Sequence, residues 1–403
     1  MKRARAAADR RVYLDYHAST PCDPLVVEAM LPYFVEHYAN PSSSQHRHGR
    51  DAAAAVAIGR EKLGVAIGAA SQEIVFTSGA TESNNLAVLG FARANASERR
   101  EIVVSAIEHK CVLAAAESLR TAGFEVLVAP VDARGVVDLG WLIDHIGDST
   151  ALVSIQAANN DIGTIQAVAE IAQVVHRVGA AFHCDAAQAL GRIPIDVRDW
   201  DVDLLSLSGH KAYGPKGIGA LYIRGGARSA PLAPLLLGGG QESGLRSGTL
   251  NVPGIVGFGV AADLATNRLP QETDRIRRMR DRLEERLLAA LPGTSVNGDR
   301  DKRLCGNSSL TFEGADAEAI IANAPELAVS TGSACSSGAI EPSYVLQAIG
   351  LTRQQAFQTL RIGVGRFTMP DDIECAVDGL KRAVGHVRGA SKHGGGGVAE
   401  RVA

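Results

Sequence analysis

The sequence predicts an α/β protein: a large domain with a mostly parallel mixed sheet flanked by helices, plus a smaller α+β domain. Two observations carry that expectation. From about residue 50 to 225, short apolar runs alternate with longer amphipathic stretches, the rhythm of a parallel sheet covered on both faces. After residue 260 the rhythm changes. Thr273–Leu291 carries Ile276, Met279, Leu283, Leu287 and Leu291 at helical spacing, and Pro292-Gly293 stops it.

The strand candidates, in order, are Glu73–Thr77, Ile102–Ala106, Ala151–Ile155, Ala181–Asp185, Asp203–Ser208 and Gly219–Ile223. Each is a short run rich in β-branched or other apolar residues. Helical patterns at 82–93, 110–121 and 168–178 fall between several of them. Strand-like pieces follow at 308–312 and 359–364, then an amphipathic helix over about 372–387. The expected division is 16–262 for the large domain and 1–15 with 263–390 for the small one. Residues 391–403, which include the glycine run 394–397, read as a flexible tail.

Of the 403 residues, 46% are hydrophobic and 21% charged, a balance that excludes wholesale disorder. A formal net charge of −3 gives no electrostatic case for direct nucleic-acid or membrane binding. No uncharged apolar stretch approaches the roughly 20 residues of a membrane span. The basic start MKRARAAADRR leads into VYLDYHAS, which is no signal-peptide core, so a cytoplasmic protein is expected. Cys22, Cys111, Cys184, Cys305, Cys335 and Cys375 show no C-x-x-C spacing, and no metal site is expected. Their default is that of small buried hydrophobes.

In a parallel α/β sheet, ligands bind outside the carboxyl ends of the strands. Five polar groups fall at such exits or in a loop. Thr77-Ser78-Gly79-Ala80-Thr81 opens a helix and offers backbone N–H groups to an anion, although it also reads as an ordinary N-cap. Asp185 ends an apolar strand, as a helix cap or as a carboxylate that keeps a heterocyclic nitrogen protonated. Lys211, hemmed by Ser208, Gly209 and His210, suits a desolvated amine for Schiff-base chemistry. His109, past strand IVVSA, either caps a neighbouring carbonyl or stacks on a planar ring and moves protons. Cys335, in the small polar run STGSACSSG, departs from the buried default and suits attack on a substrate followed by carriage.

Taken in order, these segments resemble one family. VYLDYHAST, ANPSS, EIVFTSGATESNNLA, IEHKCV, NNDIG, HCDAAQ, SLSGHKAYGPKGIGALY, GGGQESGLRSGT, STGSACSSGAIEPSYVL and LRIGVGRF are similar to the cysteine desulfurases of the NifS/IscS type. These form a branch of the class V aminotransferases with the pyridoxal phosphate fold type I. The likeness runs from residue 12 to about 387, and the spacing of GSAC to EPSYVL resembles the first desulfurase subgroup rather than the SufS-like one.

The resemblance implies pyridoxal 5′-phosphate as cofactor, L-cysteine as substrate, and a homodimer. Lys211 would hold the cofactor covalently and later take the substrate's Cα proton. Asp185 would face the ring nitrogen, Gln188 and Asn160 the ring oxygen side, and His109 the ring face. Ala80, Thr81, Ser208 and His210 would hold the phosphate, with Thr249 arriving from a second subunit. Arg361 would clamp the substrate carboxylate, bordered by Asn40 and Asn160. Cys335 would receive the sulfur as a persulfide, leaving L-alanine. The sulfur would pass to an acceptor protein serving iron–sulfur cluster assembly or tRNA or DNA thiolation. NNDIG and DAAQ stand for the commoner NNEIG and DATQ, and neither change is expected to touch a chemical role. The tail does not resemble the segment that iron–sulfur scaffolds use, which leaves the acceptor open. The alternatives are a selenocysteine lyase, another class V enzyme such as an aminotransferase, or a silent binding scaffold. Retention of Lys211, Asp185 and Cys335 speaks against the last.

Overall fold

The computed structural model describes residues 11–95, 99–229, 231–332 and 341–394. A seven-stranded sheet has the order β2-β8-β7-β6-β5-β3-β4. Its strands are β2 (Ile74–Thr77), β3 (Glu101–Ser105), β4 (Glu125–Ala129), β5 (Thr150–Ser154), β6 (Ala181–Asp185), β7 (Leu204–Ser208) and β8 (Gly219–Ile223). Only β8 runs against its neighbours, pairing antiparallel with β2 and β7. The pairs β3–β4, β3–β5, β5–β6 and β6–β7 are parallel. Strands β2, β3, β5, β7 and β8 are buried along their whole length, as expected of a sheet with helices on both faces.

Sequence pattern locates every strand of this sheet except β4. That strand alternates between exposed and buried positions at the sheet edge, so its apolar run is broken. The helices at Lys110 and Val168 start where the sequence pattern does. Helix α1 (Arg47–Ala66) precedes β2, and α2 (Ala80–Asn85) follows it. Helix α3 (Lys110–Leu119) opens on His109, and α4 (Val168–Arg177) leads into β6.

The expected change of texture near 263 has a different form in the structure. Helix α5 runs unbroken from Val252 to Ala290, with Pro270 inside it. Its first half supplies Val252, Ile255, Phe258 and Ala262 to the large core. Its second half supplies Ile276, Met279, Leu283 and Leu287 to a second core. One helix therefore serves both cores, and no loop divides them. Its first half lies close against α1: a Cβ on Gly259 would stand 2.8 Å from the Gly59 backbone, so this crossing needs a residue without a side chain.

The second core lies on a three-stranded antiparallel sheet of β9 (Thr294–Val296), β10 (Asn307–Phe312) and β12 (Thr359–Gly363). Val12 and Leu14 from the N-terminal segment join it, where β1 (Val12–Tyr13) pairs parallel with β11 (Leu327–Ala328). Helix α6 (Tyr344–Ala348) sets Val345 and Leu346 against Ile107 and Ile162, whereas α7 (Pro370–Gly394) packs on this second core. Among the described residues no helix is long and apolar enough to cross a membrane.

Candidate active site

The carboxyl ends of β2, β3, β5, β6 and β7 converge on one cavity of about 490 Å³. Its walls include Ala80 and Thr81 after β2, His109 after β3, and Asn160 after β5. Asp185 and Gln188 after β6, with Ser208, His210 and Lys211 after β7, complete them. Nine of the residues singled out from sequence thus line one space, although they are spread over 132 positions of chain.

Lys211 sits in a tight turn directly after β7. Its Nζ donates to the carbonyl oxygens of His17 at 2.6 Å and Ala18 at 2.8 Å. Burial, aided by the positive charges of Arg192 and Arg361, pushes its amine down to about 7. An amine so placed is largely neutral near physiological pH, the state a nucleophilic lysine requires. The turn is held from below: Tyr213, at a left-handed φ of 61°, donates its N–H to Thr20 Oγ1 at 2.9 Å.

Asp185 ends β6 and is buried. Its Oδ2 accepts from Asn84 Nδ2 at 2.6 Å, and its Oδ1 accepts from the Ala187 N–H at 2.9 Å. No helix starts at Asp185, so the helix-cap reading fails and its Oδ1 instead holds the turn after β6. His109 is the N-cap of α3, its Nδ1 accepting from the Cys111 N–H at 3.3 Å. The Cys111 sulfur stands 3.0 Å from that same nitrogen. Because Nδ1 already accepts, the thiol is the donor there. Burial lowers the His109 pKa, with Lys211 and Lys110 adding to it against Asp185, so the imidazole is neutral.

Cys111 departs from the buried default expected of it. It lines the cavity, accepts from Asn84 Nδ2 at 3.2 Å, and burial with the nearby Asp185 pushes its thiol up to about 12. Sequence reasoning also missed Asn84, which joins Asp185 to Cys111, and the lining residues Ser19, Gln156 and Lys216. Asn84 sits one turn into α2, inside the ESNN run, where an Asn in a helix interior was the available signal.

At the opposite wall, the first-turn N–H groups of Ala80 and Thr81 have no helical carbonyl to bond. His210 lies beside them with its Nδ1 3.1 Å from Ser19 Oγ. Burial and the neighbouring Lys211 and Lys216 bring its pKa down to about 4, so it is neutral too. Glu82 bonds the Ser78 N–H at 2.8 Å and Arg246 Nε at 2.9 Å, which fastens the GLRSGT segment to this edge. Three residues farther on, Thr249 is exposed and lies outside the cavity wall of its own chain.

Arg361 lies in β12, buried and outside the cavity lining. Its Nη2 donates to Asp15 Oδ1 at 2.8 Å and its Nη1 to the Asn160 carbonyl at 3.3 Å. Its buried Nε has no partner among the described residues. Asn40 is exposed, turned back on the Ser42 N–H at 2.9 Å, and the structure does not bring it to the cavity. Gln188 lines the cavity, but its amide is engaged with His17 and Arg192. Cys335 lies outside the described residues.

Asp161, the residue that distinguishes NNDIG from NNEIG, lies close to the site without lining it. It is buried one residue beyond the cavity-lining Asn160, accepts from Ser343 Oγ at 2.5 Å, and its charge interacts with Arg361.

The donor set fits pyridoxal 5′-phosphate. The lining brings together first-turn N–H groups suited to a phosphate, a doubly hydrogen-bonded carboxylate suited to a protonated ring nitrogen, and a desolvated amine suited to a covalent bond with an aldehyde. Residues 12–375 match the family model for class-V aminotransferases, and the chain belongs to that family, which is generally dependent on this cofactor. Within the family it falls in the NifS/IscS-type branch. It is 46% identical over 367 residues to cysteine desulfurase IscS of Rickettsia typhi (strain ATCC VR-144 / Wilmington), covering 91% of this chain and 89% of that one. Among solved structures, a NifS-like protein superposes with a TM-score of 0.87 at 34% identity, covering 93% of this chain and 100% of that chain. The structure described as SspA in complex with cysteine superposes with a TM-score of 0.79 at 39% identity, covering 89% and 100%.

Proposed function

We propose that this chain is a cysteine desulfurase that takes sulfur from L-cysteine, yields L-alanine, and passes the sulfur from Cys335 to an acceptor protein. The observation that carries the reading is the meeting of Lys211, Asp185 and His109 in one cavity, with Arg361 close behind Asn160. Pyridoxal 5′-phosphate, when bound, supplies a sink for the electrons released at the substrate's Cα. Lys211 would hold it and take the Cα proton at Nζ. The Asp185 carboxylate, fixed by Asn84 and the Ala187 N–H, would keep its ring nitrogen protonated. His109 would pack against the ring; its Nδ1 is occupied by the Cys111 N–H and thiol, which leaves Nε2 for proton transfer.

The substrate carboxylate is received by Arg361 through its uncommitted Nε, with Asn160 beside it. The Cys335 thiolate attacks the substrate sulfur. The carbon–sulfur bond breaks and a persulfide forms on Cys335, which divides one hard step into two easier ones. The segment bearing Cys335 follows Ser330, whose backbone pairs with Arg361 at 2.6 and 3.2 Å. That pairing supports a short path from Cys335 to a substrate held at Arg361.

The same reading makes the enzyme a homodimer in which Thr249, exposed on its own chain, serves the phosphate end of the second subunit's cavity. It also places the protein in the cytoplasm, where thiols stay reduced. The test is Cys335→Ser. The variant keeps the visible absorbance of the bound cofactor and loses sulfide release from L-cysteine. Full sulfide release by that variant contradicts the reading and favours an aminotransferase, which has no use for the thiol.

A further inference from the structure

Eight positions of the thiol-bearing segment, 333–340, lie outside the described residues, but both chain ends that flank them are described. The two ends meet one side chain. On the entering side, Gly332 (φ 74°) lies so close to Asp161 that a Cβ there would stand 2.1 Å from Asp161 Oδ1. On the leaving side, Ser343 Oγ donates to Asp161 Oδ2 at 2.5 Å, and Ser343 is the N-cap of α6. The residue after it, Tyr344, donates its hydroxyl to the Glu108 carbonyl at 2.5 Å, next to His109.

Asp161 is itself held from behind. Its N–H donates to Asn159 Oδ1 at 2.8 Å, and its carbonyl accepts from Asn307 Nδ2 at 3.2 Å. Among the described residues its Oδ1 has no hydrogen-bond partner, although the residue is 1% exposed. A buried carboxylate oxygen left in that state is costly, and it persists where the surrounding structure has a use for the group.

We propose that Asp161 is a positioning residue for sulfur transfer, a single carboxylate that fixes both ends of the Cys335-bearing segment against the strand exit carrying Asn160. The proposal rests on the reading of Cys335 as sulfur acceptor. It assigns Asp161 no contact with the reacting atoms. The NNEIG form of the motif fits the same role, since glutamate presents the same carboxylate.

The test uses holoenzyme carrying Asp161→Ala, Ser343→Ala or Asp161→Glu, with Cys335→Ser in parallel. Two steps are read separately: exchange of the substrate Cα hydrogen with deuterated solvent, and single-turnover sulfur gain on Cys335 by mass spectrometry of its peptide. Asp161→Ala and Ser343→Ala are expected to exchange Cα hydrogen at close to the wild-type rate. Sulfur gain on Cys335 is expected to slow about ten-fold or more in Asp161→Ala, the loss of a charge-assisted hydrogen bond. It is expected to slow less in Ser343→Ala and to recover in Asp161→Glu. Wild-type sulfur gain in Asp161→Ala overturns the proposal. So does an equal loss of both steps, which would mean damage to Asn160 or Arg361. Sulfide release from Cys335→Ser at the wild-type rate overturns the underlying reading instead, and is distinguished by occurring in that variant alone.

Discussion

Lys211 should make the cofactor-free protein less stable than a variant lacking it, and by an amount that depends on pH. In the folded chain burial brings its amine down to about 7, against 10.5 for the free side chain. The folded state thus binds fewer protons than the unfolded one between these values. Stability then rises with pH through that window as the unfolded chain also loses its proton. At roughly 1.36 kcal/mol per unit, the penalty is about 3 kcal/mol at pH 8 and vanishes near pH 10.5. Lys211→Met removes it but also removes the hydrogen bonds to the His17 and Ala18 carbonyls, worth about 1 kcal/mol each. The cofactor-free variant should therefore be about 1 kcal/mol more stable than cofactor-free wild type at pH 8. The order should reverse as the pH approaches 10.5. Denaturant midpoints of the two proteins at pH 7, 8, 9 and 10 measure this. A difference that stays constant over that range refutes the argument, because it would mean that Lys211 is not desolvated.

Two further outcomes follow from the geometry. Glu242 is buried, accepts from both terminal nitrogens of Arg60, and accepts from the Phe76 N–H at 2.7 Å. Glu242→Ala strands Arg60 and should cost about 3 kcal/mol or more in denaturant unfolding, whereas a loss under 1 kcal/mol would mark the pair as dispensable. Arg361→Lys keeps the charge but loses the planar fork shared between Asp15 and Asn160. It should raise KM for L-cysteine by about ten-fold or more, measured by steady-state alanine formation, and an unchanged KM would remove Arg361 from the carboxylate site.

What the sequence discloses follows from how each feature is encoded. Strands buried on both faces, such as Thr150–Ser154, are unbroken apolar runs and stand out. Helix α1 is buried largely through alanines and glycines, so no apolar stripe marks it. The continuity of α5 through Pro270 is decided by packing of its two halves on two cores, which local propensity does not contain. The cavity residues are legible because each sits at the end of a recognisable strand. Arg361 is legible only by resemblance, since a lone Arg inside a strand has no local mark. Asn84, Cys111 and Asp161 act through partners 27 to 182 positions away, and no window of sequence joins them.

The positions of Arg361 and Lys211 have a consequence for the reaction itself. Arg361 belongs to the small sheet, yet its charge is one of the causes that keep the Lys211 amine from protonating. When the cofactor binds that is useful, because a neutral amine is the reactive one. A base that must later accept a proton, however, works best when its basicity rises. In the proposed reaction the substrate supplies the change, since its carboxylate, received at Arg361, would offset the guanidinium charge and remove part of what depresses Lys211. Burial and Arg192 still hold the amine below an ordinary lysine, so the shift is partial and the proton can later be returned. In the proposed reaction, Arg361 therefore both binds the carboxylate and, through its charge, makes the basicity of Lys211 depend on whether substrate is present.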